Sequence, residues 1–530
     1  MTTTERPTAA PDALDGRRWW ILAVLCTSLV IVVVGNTVLN VALPTLVREL
    51  EATQTELQWI VDSYALVFAG LLLTAGALGD RYGRKGALTI GLVIFGVASG
   101  FSAFADGPTR LIVGRAVMGV GAALIMPATL SILMVVFPPH ERGKAIAIWA
   151  GLAGAGAAIG PVGSGFLLEH FWWGSVFLMN LPIIAGALVA GAILLPKSKN
   201  PDDAPLDPVG AALSVLGLTA LLYGIIEAPN HGWTAPETLA AFAAAIALLA
   251  VFAWWELRSS EPMLQLRWFR NPAFSSASGA ITLVFFAMFG TFFLFTQYLQ
   301  LVLGYGTLEA GVRMLPMAAV MMVSAPNSAR LTERFGPKRV VAAGLVTVSV
   351  GLLLMSFATV DSGYARVVVP LMIMAAGMGT AMAPATSTIM ASLPLGKAGV
   401  GSAVNDTTRE LGGALGVAVL GSLAASAYAS GVRRATSGLP ADAAALAETS
   451  LGGAVRLGRE MGGTAGDALV RAAQTAYVDG MSTGLRVGGA GVLVASLLVL
   501  RYLPSRVSHQ AAPPADDDLA RDAAPVPSAR

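Results

Sequence analysis

The chain has 530 residues, of which 55% are hydrophobic and 12% charged, about half the charge expected of an ordinary soluble protein. Its 34 basic and 32 acidic residues leave a net charge of +2, which excludes a nucleic-acid surface built on bulk charge. One cysteine, Cys26, excludes an intramolecular disulfide, and His140, His170, His231 and His509 lack metal-ligand spacing.

Apolar runs of about 20 residues, the length that crosses roughly 30 Å of hydrocarbon, recur along the chain. Residues 1–18 are polar and end at Arg17-Arg18, ahead of an apolar run too long for a signal-peptide core. Fourteen helices are predicted, near 19–43, 57–78, 86–105, 110–137, 145–168, 177–196, 208–228, 237–257, 273–300, 309–328, 340–360, 366–391, 401–428 and 481–503. The expected fold is all-α and integral to the membrane. Residues 19–196 form one six-helix bundle, 197–272 carry two inserted helices with their linkers, and 273–503 form a second six-helix bundle with a long outside loop, 429–480. Within that loop, 441–477 is periodic enough for one or two amphipathic helices outside the membrane, a mobile loop being the alternative. Residues 504–530 read as a disordered tail.

Lys and Arg counts set the expected orientation. With a cytoplasmic amino terminus, the inside connections carry 22 and the short outside loops three, Arg48, Arg110 and Arg366, so both termini are expected inside. An internal repeat supports two halves. Leu78-Gly79-Asp80-Arg81-Tyr82-Gly83-Arg84-Lys85 recurs 253 residues later as Leu331-Thr332-Glu333-Arg334-Phe335-Gly336-Pro337-Lys338. A weaker echo pairs Gly119-Val120-Gly121 and Met126-Pro127-Ala128-Thr129 with Gly377-Met378-Gly379 and Ala383-Pro384-Ala385-Thr386. Parallel halves of this kind build a central, two-sided transport site.

No hydrolytic engine is legible. Gly143-Lys144 and Gly396-Lys397 are each followed by Ala where a phosphate-binding loop needs Ser or Thr. No cofactor or metal is expected. The informative residues are ionisable groups inside apolar spans, each costing about 2.5–3.5 kcal/mol at a helix centre on insertion scales. These are Asp62 in the second helix, Arg115 in the fourth, Glu227 near the end of the seventh, Arg313 near that of the tenth, and Asp406, Arg409 and Glu410 in the thirteenth. Asp406 and Glu410 share a helix face at i, i+4. A carboxyl in a low-dielectric cavity can bind a proton near neutral pH and release it when water or a cation arrives. The alternatives are snorkelling to the interface for Asp62 and Glu227, and a later helix start that would leave Asp406, Arg409 and Glu410 in a loop. Gly151, Gly154, Gly156, Gly160, Pro161, Gly163 and Gly165 make the fifth helix a close-packing surface with a bend.

At these residues the sequence resembles the major facilitator superfamily, specifically its fourteen-helix drug:proton antiporters of the QacA/EmrB type, over about residues 19–503. Gly76-Ala77-Leu78-Gly79-Asp80-Arg81-Tyr82-Gly83-Arg84-Lys85 is similar to the helix 2–3 loop motif. Leu111-Ile112-Val113-Gly114-Arg115 resembles the fourth-helix motif, with Met118 where glutamine is usual. Gly156, Gly160-Pro161 and Gly165 resemble the antiporter motif, with Ser164 replacing a glycine. Asn40-Val41-Ala42-Leu43-Pro44, Tyr298-Leu299-Gln300 and Arg409-Glu410-Leu411-Gly412-Gly413 also resemble this subfamily. Asn36 stands where many relatives have Asp and carries no proton, which moves the expected coupling to Asp62 or Asp406.

The resemblance implies a gating loop formed by Asp80, Arg81 and Arg84 and matched by Glu333 and Arg334, with Arg115 holding a nearby carboxylate. Asn36, Asn40, Trp59, Tyr64, Met126 and Met314 are the candidates for the substrate cavity. It further implies a monomeric, proton-driven exporter of lipophilic or cationic small molecules in a bacterial plasma membrane. Uptake or exchange of a polar metabolite, or a ligand sensor without vectorial transport, are the alternatives.

Overall fold

The computed structural model describes residues 17–196, 198, 207–259, 262, 264–393 and 398–504, with some side chains of residues 139–159 and 398–403 left out. The first bundle comprises α1 (Arg18–Leu50), α2 (Gln54–Tyr82), α3 (Arg84–Ala103), α4 (Pro108–Val136), α5 (Pro139–His170), the single turn α6 (Ser175–Leu178) and α7 (Asn180–Leu194). Two helices follow, α8 (Pro208–His231) and α9 (Pro236–Arg258), and a 3-10 turn over Leu266–Arg270 leads onward. The second bundle contains α10 (Pro272–Gln297), a π-turn over Tyr298–Val302, α11 (Thr307–Arg313), α12 (Leu315–Phe335), α13 (Pro337–Met355), α14 (Tyr364–Ala391), α15 (Ala398–Thr436), α16 (Ala441–Thr449), α17 (Leu451–Met461) and α18 (Gly463–Tyr502). Thirteen spans among the described residues are long and apolar enough to cross a membrane. The 32-residue α5 is the fourteenth helix of that length. The chain is a multi-pass membrane protein.

The helix starts follow local chemistry. Thr53 and Glu56 form a capping box for α2, Glu56 accepting from the Thr53 N–H at 2.8 Å and Thr53 Oγ1 from the Glu56 N–H at 3.2 Å. Proline opens α4, α5, α8, α9, α10 and α13, where its missing N–H is harmless. Between α2 and α3 the chain reverses at Gly83, whose φ of 123° favours glycine.

Small residues set the helix contacts. A Cβ on Gly121 would meet the Gly91 carbonyl, joining α4 to α3, and one on Gly377 would meet the Gly344 carbonyl, joining α14 to α13. By packing role the counterpart of Gly377 is therefore Gly121, not the Gly119 suggested by the sequence echo. Gly412 and Gly416 of α15 press in the same way on the Thr282 and Phe286 carbonyls of α10.

The expected loop 429–480 is mostly helix. α15 continues to Thr436, α16 and α17 cap the structure, and α18 begins at Gly463, well before its apolar stretch. Tyr428 and Tyr477 stitch this extension down, donating at 2.7 Å to the carbonyls of Ala447 and Leu294. Hydropathy locates membrane spans but is blind to a helix that continues past the bilayer. The segments 1–16 and 505–530, including nearly all of the expected tail, lie outside the described residues.

Two ends of the molecule can be told apart: the terminal end, where α1 begins and α18 finishes, and the opposite end. Hydrogen bonds across the bundles cluster at the opposite end. Gln300 Nε2 donates to the Val41 carbonyl at 2.9 Å, Thr307 Oγ1 to the Gly165 carbonyl at 3.1 Å and Gln58 Nε2 to the Val417 carbonyl at 3.4 Å. Arg456 of α17 also pairs with Glu51 at 2.5 Å. Toward the terminal end no hydrogen bond or ion pair joins the bundles among the described residues. Among the described residues the bundles are thus joined by hydrogen bonds at the opposite end.

Candidate functional site

Asp62 sits on the face of α2 that also carries Gln58, Ala65 and Leu66 (helical spacing i, i+3, i+4). That face meets α15 and α8: Gln58 reaches Val417 and Ser422, while Ala65 and Leu66 pack with Leu222, Ile225, Ile226, Ala414 and Ala418. Asp62 is 0% exposed and neither of its oxygens has a donor among the described residues. It does not snorkel. A buried carboxyl without a partner is tolerated far better neutral than ionised.

Arg115 differs from the expectation that it holds a carboxylate. Fully buried, it donates from Nε to the Ile60 carbonyl at 3.1 Å and from Nη1 to the Gly35 carbonyl at 3.0 Å. Its guanidinium lies 4.3 Å from the Tyr64 ring centroid. The side chain ties α4 to α1 and α2, and no carboxylate is within ion-pair distance among the described residues.

Residues 406–410 are well inside α15, which begins at Ala398, so the late helix start is excluded. Arg409 Nη1 is 3.7 Å from Asp406 Oδ1 and its guanidinium 5.5 Å from the Phe285 centroid. With its amide oriented to satisfy both neighbours, Asn405 accepts from Arg409 at 3.2 Å and donates to Thr386 at 3.1 Å. Asp406 and Glu410 are partly exposed, and Glu410 has no hydrogen-bond partner among the described residues.

Other candidates divide. Asn36 and Met126 are partly exposed, while Asn40 is 2% exposed with both amide atoms unpaired. Tyr64 is closed off beneath Arg115, its hydroxyl donating to the Val32 carbonyl at 3.4 Å, and Met314 is buried at the α11–α12 junction. Trp59 is turned toward α8, where its Nε1 donates to Glu227 at 3.2 Å. Glu227 also accepts from Asn230 at 3.0 Å, so it anchors α8 at the opposite end and stands apart from the α15 acids. Arg313 pairs with Glu309 at 2.5 Å and lies between the rings of Tyr305 and Tyr364.

In the α2–α3 turn, Asp80 pairs with Arg84 of its own loop at 2.7 Å, and Arg81 lies 5.6 Å from the Tyr82 centroid. Lys85 caps α7, donating to the Ala192 and Leu195 carbonyls at 2.8 and 2.9 Å. Gly76 faces Pro127. Glu333 and Arg334 close α12, Arg334 lying 5.2 Å from the Phe335 centroid.

The α5 glycines serve the opposite-end closure. A Cβ on Gly165 would lie 2.7 Å from both the Thr307 carbonyl and Leu308 Cα, and one on Gly311 would lie 2.5 Å from the Pro161 carbonyl. Gly160 seats Thr37 of α1, Ser164 donates to the Pro161 carbonyl at 3.1 Å, and the surroundings of Gly156 lie outside the described residues. Sequence reasoning missed Gln58 and the cross-bundle role of Gln300.

The sequence model of the Major Facilitator Superfamily matches residues 25–417. The chain belongs to that superfamily. Similar members include the multidrug efflux pump LfrA of Mycolicibacterium smegmatis, 36% identical over 94% of this chain and 99% of the relative. The tetracenomycin C resistance and export protein of Streptomyces glaucescens is 32% identical over 98% and 96%. The methyl viologen resistance protein SmvA of Salmonella typhimurium is 34% identical over 90% and 97%. Among solved structures of the fold, a bacterial homologue of the lysosomal transporter Spinster, inward-facing and unoccupied, has a TM-score of 0.64 at 18% identity, covering 92% of this chain and 98% of the other. A peptide transporter in complex with sulfate has a TM-score of 0.62 at 16% identity, covering 92% and 96%. Fourteen helices in two bundles flanking an inserted pair are this superfamily's architecture with two extra spans.

Proposed function

We propose that this superfamily member is a proton-coupled antiporter that exports amphipathic or lipophilic organic compounds across a bacterial plasma membrane. Both termini are cytoplasmic in this reading, so the end joined by the cross-bundle hydrogen bonds faces outward. The carrying observation is the division of carboxyls: Asp62 is fully buried without a partner among the described residues in the α2–α15 seam, whereas Asp406 and Glu410 of α15 are partly exposed. When the outer end opens, Asp62 meets external water and can ionise; when it closes, the seam accepts the acid only as COOH. Proton uptake from outside therefore accompanies closure. Asp406 and Glu410 offer negative charge to a cationic substrate arriving from the cytoplasm and can exchange protons for it.

Each proton entering down 100 mV supplies about 2.3 kcal/mol, roughly a fiftyfold concentration ratio before any pH term. The names of the relatives, efflux and resistance proteins matched over nearly their whole length, support the export direction. Function is expected from the monomer without a cofactor, and nucleic acid is no partner. The test is substrate movement in proteoliposomes under an imposed pH gradient. Accumulation should collapse with an uncoupler; accumulation that persists undiminished would rule out proton coupling.

A further inference from the structure

The bundles meet along two lateral seams, and the inserted pair covers one of them. α8 lies over the seam of α2 and α15, where Leu222, Ile225 and Ile226 pack on Ala65, Leu66, Ala414 and Ala418. The seam of α5 and α11 shows exposed apolar side chains instead, Phe166, Val312 and Leu315. At its opposite end is a cavity of about 510 Å³, lined by Glu169 of α5 and by Gly306, Leu308, Glu309, Val312 and Arg313 at α11. The cavity spans the junction of the two bundles, beside the point where Thr307 donates to the Gly165 carbonyl at 3.1 Å.

The wall carries two acids and one base. Glu309 is neutralised by Arg313, which donates to it from Nε at 2.9 Å and from Nη2 at 2.5 Å. The rings of Tyr305 and Tyr364, with centroids 3.9 and 4.5 Å from the guanidinium carbon, hold that fork in place. Nη1 of Arg313 keeps its N–H donors free of a protein partner among the described residues. Glu169, on the other bundle, is exposed and has neither a hydrogen bond nor an ion pair among the described residues. The cavity therefore presents an unpaired carboxylate from one bundle and the N–H edge of a guanidinium from the other. A ligand that meets both carries a cation and an anion, and an ammonium joined to a phosphate supplies charge-assisted bonds to each.

Depth fixes what kind of zwitterion this is. α5 ends at His170, and the next residues, Phe171 and Trp172, are 57% and 49% exposed. Exposed aromatic side chains at the end of an apolar span mark the headgroup level of a bilayer. One turn further into the membrane, Phe166, Val312 and Leu315 offer apolar surface to acyl chains. We propose that this cavity binds the headgroup of phosphatidylethanolamine, its ammonium on Glu169 and its phosphate on Nη1 of Arg313, with the acyl chains along the α5–α11 seam. A primary ammonium brings three N–H donors to the carboxylate, as a lysine does, whereas the trimethylated headgroup of phosphatidylcholine brings none. One lipid thereby touches both bundles and holds their opposite ends together.

The test is native mass spectrometry of the full chain released from phosphatidylcholine micelles doped with equal amounts of phosphatidylethanolamine and phosphatidylglycerol. The wild type should retain phosphatidylethanolamine over both. Glu169→Gln, at an exposed side chain, should weaken that retention roughly fivefold, the upper end for an exposed charge pair. Glu237→Gln, an exposed acid in the first turn of α9, should leave it unchanged. Unfolding temperature confirms that both variants are folded. In phosphatidylcholine nanodiscs, added phosphatidylethanolamine should shift spin-label distances at the opposite end toward closure in the wild type and not in Glu169→Gln. Retention that ignores the headgroup, or that survives unaltered in Glu169→Gln, overturns the proposal. An equal distance shift in wild type and variant also overturns it, since the lipid would then act through the bilayer. So does displacement of the lipid by excess phosphoethanolamine, which would make the site one for a soluble zwitterion.

Discussion

Gln300 donates from the second bundle to the Val41 carbonyl of the first at 2.9 Å, a buried bond bridging a π-turn and a proline-containing helix. Pro44 lies inside α1 and removes the helical donor to Asn40, the residue before Val41. The π-turn carries Gln300 to that position, a use to which such turns are often put. Gln300→Ala removes this buried bond at a cost of about 1 kcal/mol. The population open at the opposite end should rise about fivefold by that figure, read as spin-label distances between the bundles. An unchanged distance distribution would remove Gln300 from the closure.

Gly165 allows a closer approach than any side chain could. Its added Cβ would meet main-chain atoms of Thr307 and Leu308, which cannot move aside as a flexible side chain would. Gly165→Val should therefore hold the opposite end open and abolish resistance, while the protein still reaches the membrane in normal amount. Gly279→Ala is the control, since nothing lies within 4 Å of that position. Normal resistance in the Gly165 variant would show that α5 and α11 need not meet.

In the proposed cycle, Asp62 makes closure of the seam depend on pH. Ionised, it would be buried without a partner, so the closed population should fall as pH rises and grow as pH falls. Asp62→Asn keeps the shape, carries no charge and should flatten this dependence. Substrate-induced proton release in detergent should fall by the share that Asp62 contributes. The same distance measurement across a pH series checks the first expectation and a pH electrode the second. A pH-dependent distance distribution identical in wild type and variant would assign the coupling to α15.

How far this was legible follows from what hydropathy encodes. The ionisable residues of the spans, the repeat and the inserted pair all appear in one dimension, because charge inside an apolar run is visible without knowing where it points. Direction is not. Trp59 and Tyr64 lie near Asp62 in sequence, yet one faces α8 and the other is buried under Arg115, since five residues of helix sweep well over a full turn. Gln58 and Gln300 act across bundles, and the sequence holds no sign of which helix of the other half they meet. The helical extension of α15 and α18 escaped because its stability comes from packed tyrosines and small residues beyond the bilayer, where hydropathy gives no boundary.

Arg115 offers the sharpest separation of a structural role from an electrostatic one. Two carbonyls on different helices accept from its fork, and its flat face covers Tyr64. A lysine retains the charge but cannot bridge both carbonyls while lying on the ring. If the guanidinium's task is to hold α1, α2 and α4 together, Arg115→Lys should cost about 1.5–3 kcal/mol, the range for a hydrogen bond to a charged group. That loss should appear as a lower unfolding temperature in detergent, without substrate and irrespective of the proton gradient. If charge alone matters, through the field it exerts on Glu410, the lysine variant should unfold with the wild type and differ only in the pH profile of transport.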